Sequence, residues 1–266
     1  MHPMLNTAVS AARRAGTFIV RSMEKRQYLQ IDTKGQNDFV SEVDRQAENT
    51  IIKILRKAYP SHAILAEESG AQKGDDYQWV IDPLDGTTNF LHGNPQFGVS
   101  IALRYRGELE QAVIYDPLRD ELYTASRGAG AFFNNRRVRV SGLNSLDGAL
   151  LGTGFPFRMQ HHIDCYLDMF KTLFHQVTDV RRAGAVSLDL AYIAAGRLDG
   201  FWEIGLGEWD MAAGALLIQE AGGLVSDFSG GNNYLRTGNI VAGSPKVHKG
   251  LLQTIQPLLS EELKKG

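Results

Sequence analysis

Apolar residues recur at helical spacing through the first part of the chain. This spacing predicts one helix that includes Leu5 through Val20 and a second that runs from Ser41 to the residue before Pro60, with a loop between them. Ser41 and Asp44 have the spacing of a capping box at the start of the second helix. The chain therefore begins with two amphipathic helices.

Short apolar runs bounded by turn residues follow, and they predict strands. Ala63–Ala66 and Trp79–Ile81 are two such runs, and each ends in acidic residues. From Phe97 to Val140, further runs are separated by turn pairs such as Arg106-Gly107 and Asn134-Asn135. This region is predicted to be a meander.

The second half of the chain alternates between the two kinds of spacing. Helices are predicted near Ile163–Gln176, from about Ser187 to Ala195, from Trp209 to Gln219 as an amphipathic helix, and from about Lys246 as the last helix. Strands are predicted near Val177–Arg181, at Phe201–Glu203 and at Leu224–Asp227. An α/β (α+β) fold with helices and mixed sheets in layers accommodates this order. The end of the meander divides the chain into a lobe of residues 1–143 and a lobe of residues 144–266 within one compact unit.

Composition excludes several classes of protein. Hydrophobic content of 43% and charged content of 22% are those of a globular protein, not of a disordered or coiled-coil chain. The net charge of −2 argues against a nucleic-acid coat or a polybasic membrane binder. The single cysteine, Cys165, cannot form an internal disulfide, and no apolar stretch is long enough to cross a membrane. We therefore expect a cytoplasmic protein.

The most informative stretch follows the strand at residues 79–81. Asp82 and Asp85 emerge from the strand end, and carboxylates placed there can converge on one Mg²⁺ ion, which prefers oxygen ligands. The carbonyl of Leu84 offers a further oxygen, and the amides of Gly86, Thr87 and Thr88 can receive a phosphate if they open a helix. Taken alone, the stretch is equally typical of a turn, because Asp, Pro and Gly are turn residues.

Other acids end other apolar elements in the same way. Glu67-Glu68 closes the strand at residues 63–66, and Asp210 opens a predicted helix. A solvated strand end and the helix dipole explain each of these separately, but not their recurrence. His161-His162 is expected at the surface, and no histidine or cysteine pair has zinc-ligand spacing. Neither a serine-hydrolase elbow, a Walker A loop nor a dinucleotide-binding glycine motif is present in the sequence.

Together these residues resemble the inositol monophosphatase family of magnesium-dependent, lithium-sensitive phosphatases, and a bacterial branch of it in particular. The family pattern is an Asp, then Glu-Glu, then Asp-Pro-Ile/Leu-Asp-Gly/Ser-Thr, then Trp-Asp followed after eleven residues by Gly-Gly. This chain meets it with Asp44, Glu67-Glu68, residues 82–87, Trp209-Asp210 and Gly222-Gly223. The resemblance implies a layered αβαβα sandwich, of the type also found in fructose-1,6-bisphosphatase, that forms a homodimer.

The resemblance also implies two to three Mg²⁺ ions per subunit. The first would be held by Glu67, Asp82 and the carbonyl of Leu84. The second would be held by Asp82, Asp85 and Asp210, and a weaker third would use Glu67.

The residues implied to be catalytic are Glu67, Thr87 and Asp44, which would orient and deprotonate the attacking water. The residues implied to bind substrate are Asp85, Gly86, Thr87, Arg181, Gly184, Ala185, Glu203 and Asp210. Where relatives carry Gly-Thr/Ser-Ala in the substrate loop, this chain has Gly184-Ala185-Val186, so the polyol preference stays open. The expected reaction is hydrolysis of myo-inositol 1-phosphate.

Three alternatives are weighed against this function. A haloacid-dehalogenase-type phosphatase needs an acid where this chain has Pro83, and is excluded. A phosphatase of another sugar or nucleotide phosphate shares the metal core, although residues 88–93 favour the inositol branch. The bacterial branch also includes members that join the Nus-factor complex on RNA polymerase during ribosomal RNA antitermination. Arg136-Arg137-x-Arg139 and Arg181-Arg182 are candidate basic patches for a protein contact, and direct nucleic-acid binding is expected to be weak at best.

Overall fold

The computed structural model describes residues 2–24, 31–35 and 38–265. The helices in these residues are α1 (Pro3–Met23), α2 (Glu42–Ala58), α3 (Thr87–His92), α4 (Ile163–Phe174), α5 (Val186–Ala194), α6 (Glu208–Glu220), α7 (Tyr234–Thr237), α8 (Pro245–Ile255) and α9 (Glu261–Lys265). The strands of the first half are β1 (Ile31–Gly35), β2 (Asp38–Ser41), β3 (Ala63–Ala66), β4 (Gly70–Gln72), β5 (Tyr77–Asp85), β6 (Gly98–Tyr105), β7 (Glu108–Asp116), β8 (Glu121–Ser126), β9 (Gly130–Phe133) and β10 (Arg136–Val138). Those of the second half are β11 (Leu150–Thr153), β12 (Asp179–Arg181), β13 (Gly200–Glu203), β14 (Leu224–Ser226) and β15 (Ile240–Gly243).

The two predicted amphipathic helices, α1 and α2, form the first layer. Their apolar faces are buried, with Ile19 and Ile51 fully inaccessible to solvent, and they cover one face of the first sheet. Between them the predicted loop contains an antiparallel hairpin of β1 and β2. The predicted capping box needs the side chain of Ser41, which lies outside the described part of the chain.

The second layer is an eight-stranded sheet with the order β10-β9-β8-β7-β6-β5-β3-β4. The two predicted strands at residues 63–66 and 79–81 are neighbours in it and run parallel. The predicted meander is confirmed as the antiparallel series from β6 to β10. Strand β5 continues through Asp85, with an irregular register between Asp82 and Asp85. Asp82 pairs with Ser100 and Asp85 pairs with Gly98, so the irregularity falls at the two residues between the aspartates.

Helices α5 and α6 form the middle layer, between the eight-stranded sheet and a five-stranded sheet from the second half of the chain. The prediction of an amphipathic helix at residues 209–219 is wrong, because every residue from Asp210 to Ile218 is buried. Both faces of α6 meet apolar surfaces, so no face is left for solvent. Gly214 lets α6 approach α5 closely, since a Cβ atom there would lie 2.4 Å from the side chain of Leu190.

The fourth layer is a five-stranded mixed sheet with the order β12-β11-β13-β15-β14, and α4 and α8 cover its outer face. β11 and β15 were not predicted from the sequence. The predicted last helix is α8, but the short α9 follows it. The resulting αβαβα sandwich is the fold that the motifs implied. The division of the chain into two lobes at residue 143 stays a prediction. Helices α5 and α6 from the second half of the chain pack on the eight-stranded sheet of the first half.

The prediction that both His161 and His162 lie at the surface is wrong for His162. This residue closes a short 3-10 helix, Gln160–His162, and its side chain is only 3% exposed. The reason is that α9 lies beside it, with Glu262 Oε2 3.8 Å from His162 Nε2. Among the described residues, no helix combines the length and apolar character needed to cross a bilayer.

Candidate active site

The fold brings four predicted acids to one cavity of about 430 Å³. Glu67 follows β3 and its amide donates to the carbonyl of Ile81 on β5 at 3.1 Å, which joins the two strand ends. Asp82 and Asp85 come from the end of β5, and Asp210 comes from the first turn of α6. Residues far apart in the sequence therefore line a single site, as the recurrence of acids at element ends predicted.

Hydrogen bonds fix the orientation of the aspartates. Oδ2 of Asp85 accepts from the backbone amide of Ser187 at 2.6 Å and from its hydroxyl at 2.5 Å. Oδ1 of Asp82 accepts from the amide of Leu84 at 3.0 Å, and Oδ2 of Asp210 accepts from the amide of Gly207 at 2.7 Å. Each carboxylate is thus held by the backbone of its neighbours, which leaves it preorganised.

The electrostatics of the cavity disfavour so many negative charges. Burial raises the pKa of Asp82 well above its ordinary value, and the charges of Glu67, Asp85 and Asp210 raise it further. Burial and the charge of Asp210 raise the pKa of Asp85 to about 7. Ionising these groups together therefore requires positive charge in the cavity.

The donor set suits a hard divalent cation. Carboxylate oxygens of Glu67, Asp82, Asp85 and Asp210 and the carbonyl of Leu84 all belong to residues that line the cavity. Such oxygen donors are those that Mg²⁺ prefers, and a divalent cation would relieve the repulsion that raises the pKa values. The residues present therefore fit magnesium.

Arg158 also contacts this acidic group, although no sequence motif pointed to it. Its Nη1 lies 3.1 Å from Oδ2 of Asp210, and its Nη2 lies 3.8 Å from Oε1 of Glu67. The segment that carries it, residues 153–158, forms one wall of the cavity. Arg158 thus brings a positive charge to two of the predicted metal ligands.

The predicted water-activating pair is in contact. Thr87 is the first residue of α3, and its hydroxyl is 2.7 Å from Oδ1 of Asp44 on α2 and 3.0 Å from the carbonyl of Leu84. The preceding Gly86 has a φ of 91°, and a Cβ atom there would lie 2.9 Å from the carbonyl of Gln96. Glycine is therefore needed at the turn that brings Thr87 into the cavity.

The far end of the cavity is formed by the predicted substrate residues Gly184, Ala185 and Glu203. Glu203 is buried, its Oε2 has no hydrogen-bond partner, and burial followed by the charge of Asp210 raises its pKa well above the ordinary value. A buried oxygen without a partner suits a ligand hydroxyl. A Cβ atom on Gly154 would lie 2.2 Å from the Glu203 carboxyl group, so glycine is required beside it.

Arg181 lies apart from the other predicted substrate residues. Its side chain is exposed and forms an ion pair with Asp179, whereas the next residue, Arg182, lines the cavity. The reason is that Arg181 ends strand β12 while Arg182 begins the loop toward the site. Asn89 also went unpredicted, although its amide donates to the carbonyls of Gln96 and Ala183 and fixes this loop beside α3.

Comparison with known proteins agrees with the geometry. Residues 1–260 match the model of the inositol monophosphatase family. The chain belongs to the inositol monophosphatase family. It is 60% identical to Nus factor SuhB of Pseudomonas aeruginosa over the whole of both chains. Among solved structures, it matches extragenic suppressor protein suhB of Bartonella henselae with a TM-score of 0.93 and 46% identity, covering 96% of this chain and 99% of that one.

A second solved relative carries the phosphatase name. The inositol monophosphatase of Anabaena is 37% identical, with a TM-score of 0.86 and 97% of each chain covered. Membership of the inositol monophosphatase family supports phosphatase activity, and members of the family are generally magnesium-dependent. Residues of three of the family motifs, those that contain Glu67, Asp82 and Asp210, line the acidic cavity of this chain.

Proposed function

We propose that the chain is a Mg²⁺-dependent, lithium-sensitive phosphate monoester hydrolase whose substrate is myo-inositol 1-phosphate. The observation that carries the proposal is the convergence of Glu67, Asp82, Asp85 and Asp210 on one cavity beside Thr87. The proposal includes two to three ions per subunit. Bound there, Mg²⁺ would lower the pKa of a water and neutralise charge on the phosphate.

The chain's own residues position the reactants. Asp44 accepts a hydrogen bond from the Thr87 hydroxyl. The threonine oxygen can therefore take a proton from the attacking water while its own proton passes to Asp44. Glu67 faces the same space and completes the orientation of that water. Gly86 and Thr87 line the cavity at the start of α3, and their amides would bind the phosphate.

Glu203 and the loop at Gly184-Ala185 support a polyol as the leaving group. A carboxyl oxygen without a protein partner at the far end of the cavity accepts a hydrogen bond from a substrate hydroxyl. Ala185 and Val186 present no side-chain hydroxyl at this end. Substrate selection in this chain therefore depends strongly on Glu203.

A substrate panel tests the proposal. Phosphate release is measured from inositol 1-phosphate, a sugar phosphate and a nucleoside monophosphate, with Mg²⁺ and with or without lithium. We expect inositol 1-phosphate to have the highest kcat/KM and lithium to suppress its hydrolysis. Glu203→Gln should reduce that preference, while Glu208→Gln, which changes an acid outside the cavity lining, should keep it. Higher kcat/KM for another ester would reassign the substrate, and a lack of release from every ester would contradict the activity.

A second function is favoured by the names of the relatives. Several full-length relatives at 51–60% identity are called Nus factor SuhB, and we propose that this chain also contacts Nus factors or RNA polymerase in the cytoplasm. Arg136 and Arg137 are exposed on β10, an edge strand of the first sheet, and Arg139 is exposed just beyond it. Exposed arginines on a sheet edge suit contact with an acidic protein surface.

Pull-down with purified Nus factors and RNA polymerase separates the two functions. The wild-type chain and Asp82→Asn should capture the same partner, because the arginines lie outside the cavity lining. Arg136→Glu combined with Arg139→Glu should weaken capture while phosphate release stays normal. Equal capture by the arginine variant would remove these residues from the contact, and no capture by the wild type would contradict the second function.

We also propose a homodimer. Ile163, Leu167 and Phe174 are exposed apolar residues on α4, and their spacing puts them on one side of the helix. A stripe of large apolar side chains on the surface is typical of an interface, and a second copy of the chain is the proposed occupant. Leu167→Glu should convert the dimer to a monomer in light scattering. A wild-type monomer, or an unchanged dimer in the variant, would contradict this interface.

A further inference from the structure

Two histidines and a glutamate meet near the end of the chain, away from the acidic cavity. Nε2 of His161 lies 3.5 Å from Oε2 of Glu262, and Nε2 of His162 lies 3.8 Å from the same oxygen. The three ligand atoms all lie within 4.8 Å of one another. Residues about a hundred positions apart thus present two imidazole nitrogens and one carboxylate oxygen to a common point. The spacing of the histidines alone did not predict a zinc site, because the third donor comes from α9.

The burial of His162 and its unpaired ring nitrogen indicate that a ligand binds there. Its side chain is 3% exposed, and Nε2 is buried without a hydrogen-bond partner among the described residues. Buried polar atoms are nearly always satisfied, so an unsatisfied ring nitrogen aimed at a carboxylate calls for a bridging group.

The donor distances match a particular class of metal. Ligand atoms bound at about 2.0–2.1 Å in a tetrahedron lie roughly 3.3 Å apart. Two of the distances between donors here, 3.5 and 3.8 Å, are close to that value. A set of two nitrogens and one oxygen suits zinc and similar transition metals rather than Mg²⁺, which prefers oxygen ligands.

We propose that His161, His162 and Glu262 form a second metal site, one that takes Zn²⁺ or a similar transition metal and is separate from the acidic cavity. The exposed sides of His161 and Glu262 leave room for a water as the fourth ligand. Because Glu262 lies on α9 and the histidines close the segment that includes Arg158, the bound metal ties the end of the chain to a wall of the cavity.

Calorimetric titration with ZnCl₂ tests the site. The untagged full chain is used in excess MgCl₂, both as wild type and as Asp82→Asn, so that zinc binding by the acidic cavity is suppressed. We expect one zinc ion per chain in both. His161→Gln and Glu262→Gln, which change exposed side chains, should each weaken binding at least about tenfold, since loss even of a ligand's hydrogen-bonding partner costs that much.

Two matched variants complete the test. His175→Gln removes an exposed histidine at the end of α4. Glu261→Gln removes an acid next to the proposed ligand Glu262; the side chain of Glu261 forms an ion pair with Lys264. Both should bind zinc like the wild type. The proposal is overturned if the chain binds no zinc in excess Mg²⁺, or if His161→Gln and Glu262→Gln bind it as tightly as the wild type.

Discussion

Arg158 Nη1 lies 3.1 Å from Oδ2 of Asp210, so an arginine contacts one of the carboxylates that we assign to magnesium. The same guanidinium is 3.8 Å from Glu67, another assigned ligand. The positive charge of Arg158 therefore offsets part of the electrostatic repulsion among the buried acids when no other cation is present. Magnesium and Arg158 are expected to compete for these oxygens.

Replacing Arg158 should therefore strengthen magnesium binding in the absence of substrate. Because the arginine side chain is partly exposed at 27%, its ion pairs are screened by solvent, and Arg158→Gln is expected to tighten Mg²⁺ binding by roughly two- to fivefold. Isothermal titration calorimetry measures the change. Arg158→Lys retains a positive charge and should differ less from wild type. Unchanged or weaker binding in Arg158→Gln would show that the arginine does not compete with the ion.

The contact between Thr87 and Asp44 gives a prediction about turnover. Thr87→Val removes the hydroxyl that lies 2.7 Å from Asp44, and Asp44→Asn removes the negative charge that accepts its proton. Each variant should lower kcat by about 10²–10⁴-fold, the usual contribution of a positioned proton acceptor. Magnesium affinity should change little, because neither side chain belongs to the assigned ligands. Thr50→Val, on α2 and outside the cavity lining, is the control, and equal losses in Thr50→Val and Thr87→Val would argue against a specific role for Thr87.

Much of this site could be predicted because its chemistry lies at the ends of strands and helices. Asp82 and Asp85 come at the end of a recognisable buried strand, and Asp210 lies in the first turn of a recognisable helix. The burial of α6 could not be predicted, because it depends on a second sheet packing against the face that the pattern left for solvent. Arg158 could not be predicted either, because its contact with Asp210 joins residues 52 positions apart without a local motif.

Gly154 gives a test of the substrate end that no motif would have suggested. Gly154→Ala places a methyl group about 2.2 Å from where the Glu203 carboxyl group lies, so that carboxyl group must move. We expect kcat/KM for inositol 1-phosphate to fall roughly tenfold or more, as for loss of a hydrogen bond to a charged group. Hydrolysis of p-nitrophenyl phosphate, which has no polyol, should change less.

Gly142→Ala is the matched control for this substitution, since a Cβ atom there would have no neighbour within 4 Å. It should retain both activities. If Gly154→Ala kept the wild-type ratio of the two substrates, Glu203 would not determine the preference for a polyol.

His248 should make the free energy of unfolding depend on pH. Burial lowers the pKa of this residue, and its Nε2 is 2.8 Å from the hydroxyl of Ser226. Because the pKa in the folded state is below the unfolded value of about 6.5, the stabilising contribution is present above that pH and is lost as the pH falls through the folded pKa. The free energy of unfolding should therefore decrease on acidification.

Urea denaturation in magnesium-free buffer at several pH values measures this decrease. His248→Gln should lose less stability than wild type between neutral and acidic pH, even if it is less stable at every pH. His92→Gln, which changes an exposed histidine, should keep the wild-type slope. The same slope in His248→Gln and in wild type would assign the acid sensitivity to other groups.

The most direct test of the proposed magnesium-dependent phosphatase is phosphate release from inositol 1-phosphate across a magnesium titration, for wild type and Asp82→Asn. Asp82 is assigned as a ligand of both main ions, and burial and three neighbouring acids raise its pKa. We predict saturable magnesium dependence in the wild type and loss of turnover in Asp82→Asn, with the variant still folded because one source of repulsion is gone. Near-normal turnover in Asp82→Asn, or wild-type release that is independent of magnesium, would contradict the proposed site.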